Sequence, residues 1–441
     1  MHAAVLLLAV ALQGAHGDTT RLSLQATIDR ALEANPGLRA ERASARAAGQ
    51  MPAQASQAFL PTVSLELTGM RTTDPVAVFG LTLRQAAFTP QGFDVAALND
   101  PDPYGGWDAV ASAQLPIFAP EGLYGFAAAR KAAAAGAAQA ERAAGATRFF
   151  VIRAYWDAQL AARQVETLDT ALTAVRAHRA QAAAMHEQGL VTSLDARFAG
   201  LKQAEIEVRR LAAAAHARNA LAALRAMLAL PDDQPIVLTD SLRSAAAASQ
   251  CAAPGDAACA ADLRADLEAY RFAEDAARLA VKRAWASQLP SVAAFGMLAH
   301  RALAAPFAEG SGDWTVGIAV RWPILRGLAG VGAVRAARAE RQQAAARLEA
   351  AERQAELEIA RARDMLAAAR ERVAVAERAE REAREALDQA RLRYRTGSAP
   401  ITELLDVQAA ATAASLNHVA ARRDLFVAAA ALDLAYGVYD R

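Results

Sequence analysis

Two kinds of hydrophobic pattern divide this chain of 441 residues. Most of the sequence places alanine, leucine and valine at helical spacing between charged residues, a pattern that predicts long amphipathic helices. A few short stretches instead alternate apolar and polar residues with a period of two, which predicts strands. The chain is therefore predicted to be mainly α-helical, with a small number of β-strands.

The same order of patterns occurs twice along the chain, which indicates a tandem duplication. The stretch "ANPGLRAERASARAAGQMPAQASQAFLPTV" from Ala34 resembles "LRADLEAYRFAEDAARLAVKRAWASQLPSV" from Leu263 at a constant offset. Further on, "QLPIFAPEGLYGFAAARKA" resembles "RWPILRGLAGVGAVRAARA". We predict a first repeat over 18–240, a linker over 241–261 and a second repeat over 262–441.

Each repeat is predicted to contain a leading helix, a β-hairpin and a hairpin of two longer helices. The predicted helices are 24–58, 122–188 and 193–230 in the first repeat, and 262–288, 329–396 and 401–436 in the second. At 1.5 Å per residue, each of the two longest helices would extend about 100 Å. Their many small residues are typical of helices that pack on more than one side, and the sequence also leaves open an ordinary antiparallel coiled-coil hairpin.

The strand candidates combine an apolar face with a small or polar face. In "WTVGIAVRW" (314–322), tryptophans flank the apolar face at both ends, and "VSLELTG" (63–69) and "WDAVASAQL" (107–115) alternate in the same way. This pattern is typical of transmembrane strands, and also of an amphipathic hairpin packed on a soluble core. Because four strands cannot close a barrel, the membrane interpretation requires an oligomer.

The first repeat carries an insertion over 72–106, between its two strands. Its proline, aspartate and glycine content predicts a long loop, which is expected to be extracellular if the strands cross an outer membrane. Phe79, Leu81, Phe88 and Phe93 predict that this loop folds back and packs on the barrel mouth or on a neighbour.

Residues 1–17 contain a short apolar run followed by small residues, which predicts a signal peptide. The 48 basic and 47 acidic residues nearly cancel, so no basic surface for nucleic acid is expected. The seven histidines have no metal-binding spacing, and no nucleotide-binding or nucleophile motif occurs. We therefore predict no enzyme activity, no cofactor and no metal site. Cys251 and Cys259 flank a Pro-Gly turn and predict a local disulfide in an exported protein.

This layout resembles the TolC family of outer-membrane efflux proteins over essentially the whole chain after the signal peptide. The motifs that carry the resemblance are "LSLQATIDRALEANPGLRAERA" (22–43), "RADL" (264–267), "LPIF" and "WPIL" before the long helices, and "RYRTGSAPITELLDVQ" (393–408). The resemblance implies an exit duct in the outer membrane of a Gram-negative bacterium, serving a tripartite efflux or type I secretion system. It also implies a homotrimer, with a twelve-stranded β-barrel in outer-membrane lipid above a periplasmic α-barrel of twelve helices.

The resemblance further implies partners and site residues. The partners are a periplasmic adaptor protein and an inner-membrane transporter of the RND or ABC type. The positions that match the adaptor-docking tips are Gly189, Leu190, Val191, Thr192, Gly397, Ser398, Ala399 and Pro400. Those that match the pore constriction and its latch are Asp195, Glu403, Asp406 and Tyr394. The chain departs from some members at Ala399, where they carry an arginine of the latch.

Local structure offers a second explanation for two of these acids. Asp195 follows Thr192 at capping-box spacing, and Glu403 lies in the first turn after Pro400, where a carboxylate favours the helix dipole. Asp406 lies one turn further in and is not explained in this way. The alternative function is a soluble periplasmic coiled-coil scaffold or adaptor without a membrane barrel.

Overall fold

The computed structural model describes residues 20–189, 191–242, 249–251 and 264–440. The predicted signal peptide lies outside these residues, as does most of the predicted linker. The chain forms two compact units. The first, here called the helical unit, comprises the segments up to Ser44, Ala138–Glu268 and from Ala351 onward. The second, here called the strand unit, comprises Ala45–Ala137 and Ala269–Ala350.

Two helical hairpins, as predicted, account for nearly half of the chain. The first consists of α6 (Pro120–Glu187) and α7 (Ser193–Met227), and the second of α9 (Ala329–Arg395) and α10 (Ile401–Ala435). The helix α8 (Ala265–Ala286) precedes the second pair of strands. Prolines or glycines stand at most of these boundaries, which is why the sequence located them closely.

The leading helix of the first repeat is not one helix over 24–58, so that prediction is wrong. It is divided into α1 (Leu24–Ala34), α2 (Pro36–Ala48) and α3 (Met51–Ala55), followed by a 3₁₀ turn at Ser56–Ala58. Asn35 adopts ψ 122°, as a residue before proline tends to do, and its side chain accepts the Leu38 N–H at 3.0 Å. The proline therefore restarts the helix instead of continuing it.

The strand unit contains one antiparallel sheet in the order β2-β3-β5-β6. Its strands are β2 (Thr62–Thr72), β3 (Tyr104–Phe118), β5 (Ser291–Ala302) and β6 (Gly310–Arg321). The register sets Trp107 opposite Gly69 on one face and Phe295 opposite Gly317 on the other. Each aromatic ring covers the adjacent glycine, which has no side chain to bury. The outward face of β6 is the predicted apolar one, and its Trp314, Val316, Ile318 and Val320 are all exposed.

The insertion contains helices that the sequence did not predict. After β2 the chain forms α4 (Pro75–Arg84), a 3₁₀ turn (Pro90–Gly92) and α5 (Val95–Asn99). Asp74 caps α4 by accepting the Ala77 N–H at 2.7 Å, and Pro75 stands at its first position. Phe88 packs edge to face against both Phe79 and Phe93, with ring centroids 5.1 Å apart. A local aromatic cluster therefore orders this segment.

The helical unit has a hydrophobic core to which residues from α1, α6, α7 and α10 contribute. A short parallel sheet pairs β1 (Thr20–Leu22) with β4 (Ile236–Leu238). In the same core, the Trp156 and Phe426 rings stack with their centroids 4.1 Å apart. The Tyr155 hydroxyl donates to Asp240 Oδ2 at 2.9 Å. These contacts join α6 and α10 to the segment that follows β4.

Candidate functional site

Each helical hairpin turns at a glycine in the left-handed backbone region. The φ angle is +75° at Gly189 and +72° at Gly397. L-residues, which carry a Cβ, adopt this conformation at a cost of roughly 1 kcal/mol or more. A side chain at either position would meet open space, so conformation and not crowding calls for glycine there. The two predicted turns thus share one backbone geometry.

The turn residues are accessible in the single chain. Thr192, Gly397, Ser398 and Pro400 are exposed, as is Gly189, and Val191 and Ala399 are half-buried. Leu190 lies outside the described residues. The docking role of these residues stays a prediction.

Asp195 forms the predicted capping box at the start of α7. Its Oδ2 accepts the Thr192 N–H at 3.0 Å and the Thr192 hydroxyl at 2.8 Å. Thr192 Oγ1 in turn accepts the Asp195 N–H at 3.4 Å. One carboxylate oxygen is therefore committed to the helix start.

Glu403 pairs with Arg393, a contact that the sequence interpretation missed. The Arg393 guanidinium donates to Glu403 Oε1 across the turn between α9 and α10. Arg393 precedes Glu403 by almost three helical turns in sequence, and only the reversal at Gly397 brings the two together. The pairing gives Glu403 a role in the turn besides its position near the helix dipole.

Asp406 differs from the other two acids. It is exposed, while Leu404 and Leu405 beside it are each only 1% exposed. No hydrogen bond or ion pair joins Asp406 to any residue in the described part of the chain. Its negative charge is therefore uncompensated locally.

Tyr394 is buried where the two hairpins pack together. It is 2% exposed, and its hydroxyl has no hydrogen-bond partner among the described residues. Burial raises the pKa of Tyr394, and the charge of Asp195 raises it further. The structure thus brings the predicted latch tyrosine close to the acid at the start of α7. The buried residues around it are Val175, Ala182, Ala199, Leu387, Ala390, Ile401, Leu404, Leu405 and Ala411.

The predicted disulfide involves a residue outside the described part of the chain. Cys251 is buried, and its N–H lies 3.4 Å from Asp433 Oδ1. Cys259 is not among the described residues, so the pairing stays a prediction.

The described residues also bear on a metal site and on membrane-spanning helices. No cluster of three or more His, Cys, Asp or Glu side chains there could hold a metal ion. Among the described helices, none has the length and continuous apolar sequence needed to cross a membrane.

Comparison with known proteins gives a family and a fold. The model of the outer membrane efflux protein family matches residues 27–230 and 259–438. No curated protein is significantly similar in sequence.

Three solved outer membrane channels have similar structures. VceC of Vibrio cholerae is 21% identical with a TM-score of 0.76, covering 94% of this chain and 96% of that chain. CmeC of Campylobacter jejuni is 15% identical with a TM-score of 0.77, covering 94% and 85%. MtrE of Neisseria gonorrhoeae is 19% identical with a TM-score of 0.75, covering 94% and 88%. Because these sequence identities are low, the structural similarity shows only that this chain shares the fold of the three channels.

The family match decides between the two functions that the sequence left open, since it covers both repeats and favours the duct over a soluble scaffold. The chain belongs to the outer membrane efflux protein family, and it is an outer-membrane exit duct for an efflux system, with a large helical part in the periplasm.

Proposed function

We propose that the duct is a homotrimer. The sheet has four strands, and within the described residues its outer strands, β2 and β6, each pair on one side only. Unpaired backbone groups are not tolerated in lipid, so these edges need partners. Pairing β6 of one copy with β2 of the next closes a barrel of twelve strands from three copies.

The turns at Gly189 and Gly397 form the periplasmic tip and dock an adaptor protein, which connects the duct to an inner-membrane transporter of the RND or ABC type. Their exposed backbone and small side chains, such as Ser398, support this assignment. The solved structure of MtrE is of the open state of that channel. We infer that the tip of this chain likewise has closed and open states.

The observation that carries the gate assignment is the contrast between Asp406 and Glu403. Glu403 is balanced by Arg393, whereas Asp406 is exposed and unbalanced. Three copies around a pore would place three such carboxylates at its entrance. A ring of this kind attracts cations. Asp406 therefore sets the charge of the constriction more than Glu403 does.

Replacing Asp406 should lower the cation preference of the channel. In Asp406→Asn the ring loses its uncompensated charges, and we expect the cation-to-anion permeability ratio to fall about two- to fivefold, a change of ~0.4 to 1 kcal/mol. The measurement is the reversal potential of the purified trimer in a planar bilayer under a salt gradient.

The matched control removes a neutral pair. In Arg393→Gln with Glu403→Gln, one positive and one negative charge are lost together, so the permeability ratio should stay at the wild-type value. An unchanged ratio in Asp406→Asn would show that Asp406 does not face the constriction.

A further inference from the structure

The connections within the two β-hairpins lie at one end of the sheet. Thr72 pairs with Tyr104, and Ala302 pairs with Gly310, at this end. The other ends of the strands join α3, α6, α8 and α9. Because the helical part is periplasmic, the hairpin end is extracellular.

Alternation along the strands separates two faces. Trp314 and Val316 belong to the apolar face, which meets lipid in a transmembrane barrel. Ser311 lies on the opposite, polar face because it is an odd number of positions from Trp314. The register places Asp108, Arg301 and Ser311 in one row across three strands on this face. In a closed barrel this polar face lines the lumen.

The helix α4 lies against the polar face at the extracellular end. The Ser311 hydroxyl donates to the backbone carbonyl of Arg84, the last residue of α4. The Tyr104 hydroxyl donates to Gln85 Oε1 at 2.7 Å. The Gln85 side chain also occupies the space that a Cβ at Gly106 would need. Tyr104 and Gly106 share the polar face with Asp108, so all these contacts lie on the lumen side of the sheet.

Burial of polar groups shows that this end of the face is covered. Arg301 is only 7% exposed and forms ion pairs with Asp313 and, at 3.6 Å, with Asp108. The Asp108 Oδ1 and Arg301 Nε atoms are shielded from solvent. Further along the same face, Thr315 and Ala319 are exposed. The polar face is therefore covered around Arg301 and Asp108, near α4, and open at Thr315 and Ala319.

We propose that α4 and Gln85, here called the outlet lid, form a second constriction of the duct at its extracellular end. The inference rests on the proposed trimer, because only a closed barrel gives the polar face a lumen. Three lids, one from each copy, would narrow the outlet and limit entry of large solutes from outside. Two hydrogen bonds from strand side chains hold each lid, so an outgoing substrate can displace it.

Labelling of a cysteine below the lid tests the proposal without depending on the periplasmic tip. Ala319→Cys places a thiol on the polar face, and intact cells are treated with a bulky polyethylene glycol maleimide or with a small charged maleimide. In a second chain, residues 73–103 are replaced by the natural turn 303–309, which joins β5 to β6. We expect the bulky reagent to label the lid-less chain about tenfold faster, equivalent to ~1.4 kcal/mol less opposition to entry. The small reagent should label both chains at similar rates.

A milder variant covers the case in which the replaced chain folds poorly. Ser311→Ala with Tyr104→Phe removes both hydrogen bonds to the lid, and labelling by the bulky reagent should become faster than in the wild-type background. Its matched control is Ser291→Ala, at the opposite end of β5. This variant removes a hydroxyl that donates a hydrogen bond to the Arg321 backbone carbonyl, and it should leave the labelling rate unchanged. Chains without Ala319→Cys give the background.

The outcomes separate the lid from the duct. Equal rates for the bulky reagent in lidded and lid-less trimers would overturn the lid and leave the duct intact. Failure of even the small reagent to label the lid-less trimer would mean that Ala319 faces no open lumen, which overturns both.

Discussion

Arg264→Ala is expected to lower the free energy of unfolding by about 3–5 kcal/mol, the range found when one partner of a buried ion pair is removed. Arg264 is 3% exposed and binds Asp266 through two nitrogens, at 2.7 and 3.0 Å. It also donates to Glu358 at 2.8 Å and to the Ala435 carbonyl at 3.3 Å. Without the guanidinium, these partly buried carboxylates would lose their shortest ionic contacts and keep only other partners, Arg142 at 3.5 Å from Asp266 and Gln354 at 3.0 Å from Glu358.

The network around Arg264 ties the beginning of the second repeat to the end of the chain. Asp440 Oδ2 accepts the Ala265 N–H at 3.1 Å, and Arg142 lies 3.3 Å from the same carboxylate. Gly437, at φ +73°, allows the backbone to approach Arg264 closely. The "RADL" stretch therefore has a structural role in closing the helical unit.

The measurement is the midpoint concentration of guanidinium chloride, used as denaturant, at which detergent-solubilised protein loses its helical circular dichroism signal. Arg283→Ala is the matched control, because Arg283 forms an ion pair with Glu121 in which each side chain is about half exposed. Such a pair should contribute only ~0–1 kcal/mol to the free energy of unfolding. A loss in Arg264→Ala no greater than in the control would contradict the role of the network.

Acid pH provides a second readout of the same network. Burial alone would raise the pKa of Asp266 and of Glu358; hydrogen bonds and the nearby positive charges outweigh burial and lower both. A carboxyl group whose pKa is lowered by folding stabilises the fold at any pH above its unfolded-state pKa, near 4. This stabilisation is lost as the pH falls through the lower pKa of the folded state. Arg264→Ala should therefore lose less stability on acidification than the wild type. Burial raises the pKa of Asp440, whose opposite contribution is present in both proteins.

Trp156→Ala is expected to lower the free energy of unfolding by about 3–5 kcal/mol, because it removes a large side chain from a core that cannot collapse around the gap. Trp156 is 2% exposed, stacks on Phe426 and meets the Tyr155 ring edge to face at 5.3 Å. The loss of stability is measured as a shift of the unfolding midpoint in guanidinium chloride. Phe150→Ala removes an aromatic ring from the same helix, but this ring is 52% exposed and its loss should cost well under about 1 kcal/mol. Similar losses in the two variants would show that Trp156 does not anchor the core.

The sequence located the long helices and three of the four strands for local reasons. The turn at Gly397 and the boundary at Pro400 are visible in the sequence because they restrict the backbone directly. The strand β6 was clear because its apolar and polar residues alternate without interruption. The strand β5, "SVAAFGMLAHRA", was not located, since its many small residues give little contrast between the two faces.

The rest depends on contacts that the sequence does not display. The pairing of Glu403 with Arg393 requires the turn to be folded, and the network of Arg264 with Asp440 joins residues far apart in the chain. The sequence does not predict the helix α4, because the proline, aspartate and glycine content of the insertion is typical of a loop. The break at Asn35 was missed because the apolar periodicity continues on both sides of Pro36.

We propose that three copies of this chain form a conducting duct in the outer membrane. This proposal is tested by single-channel recording in a planar bilayer, with heat-modifiable trimer extracted from the outer-membrane fraction. We expect discrete conductance steps that prefer cations. A correctly folded trimer that produces no conductance steps would contradict it.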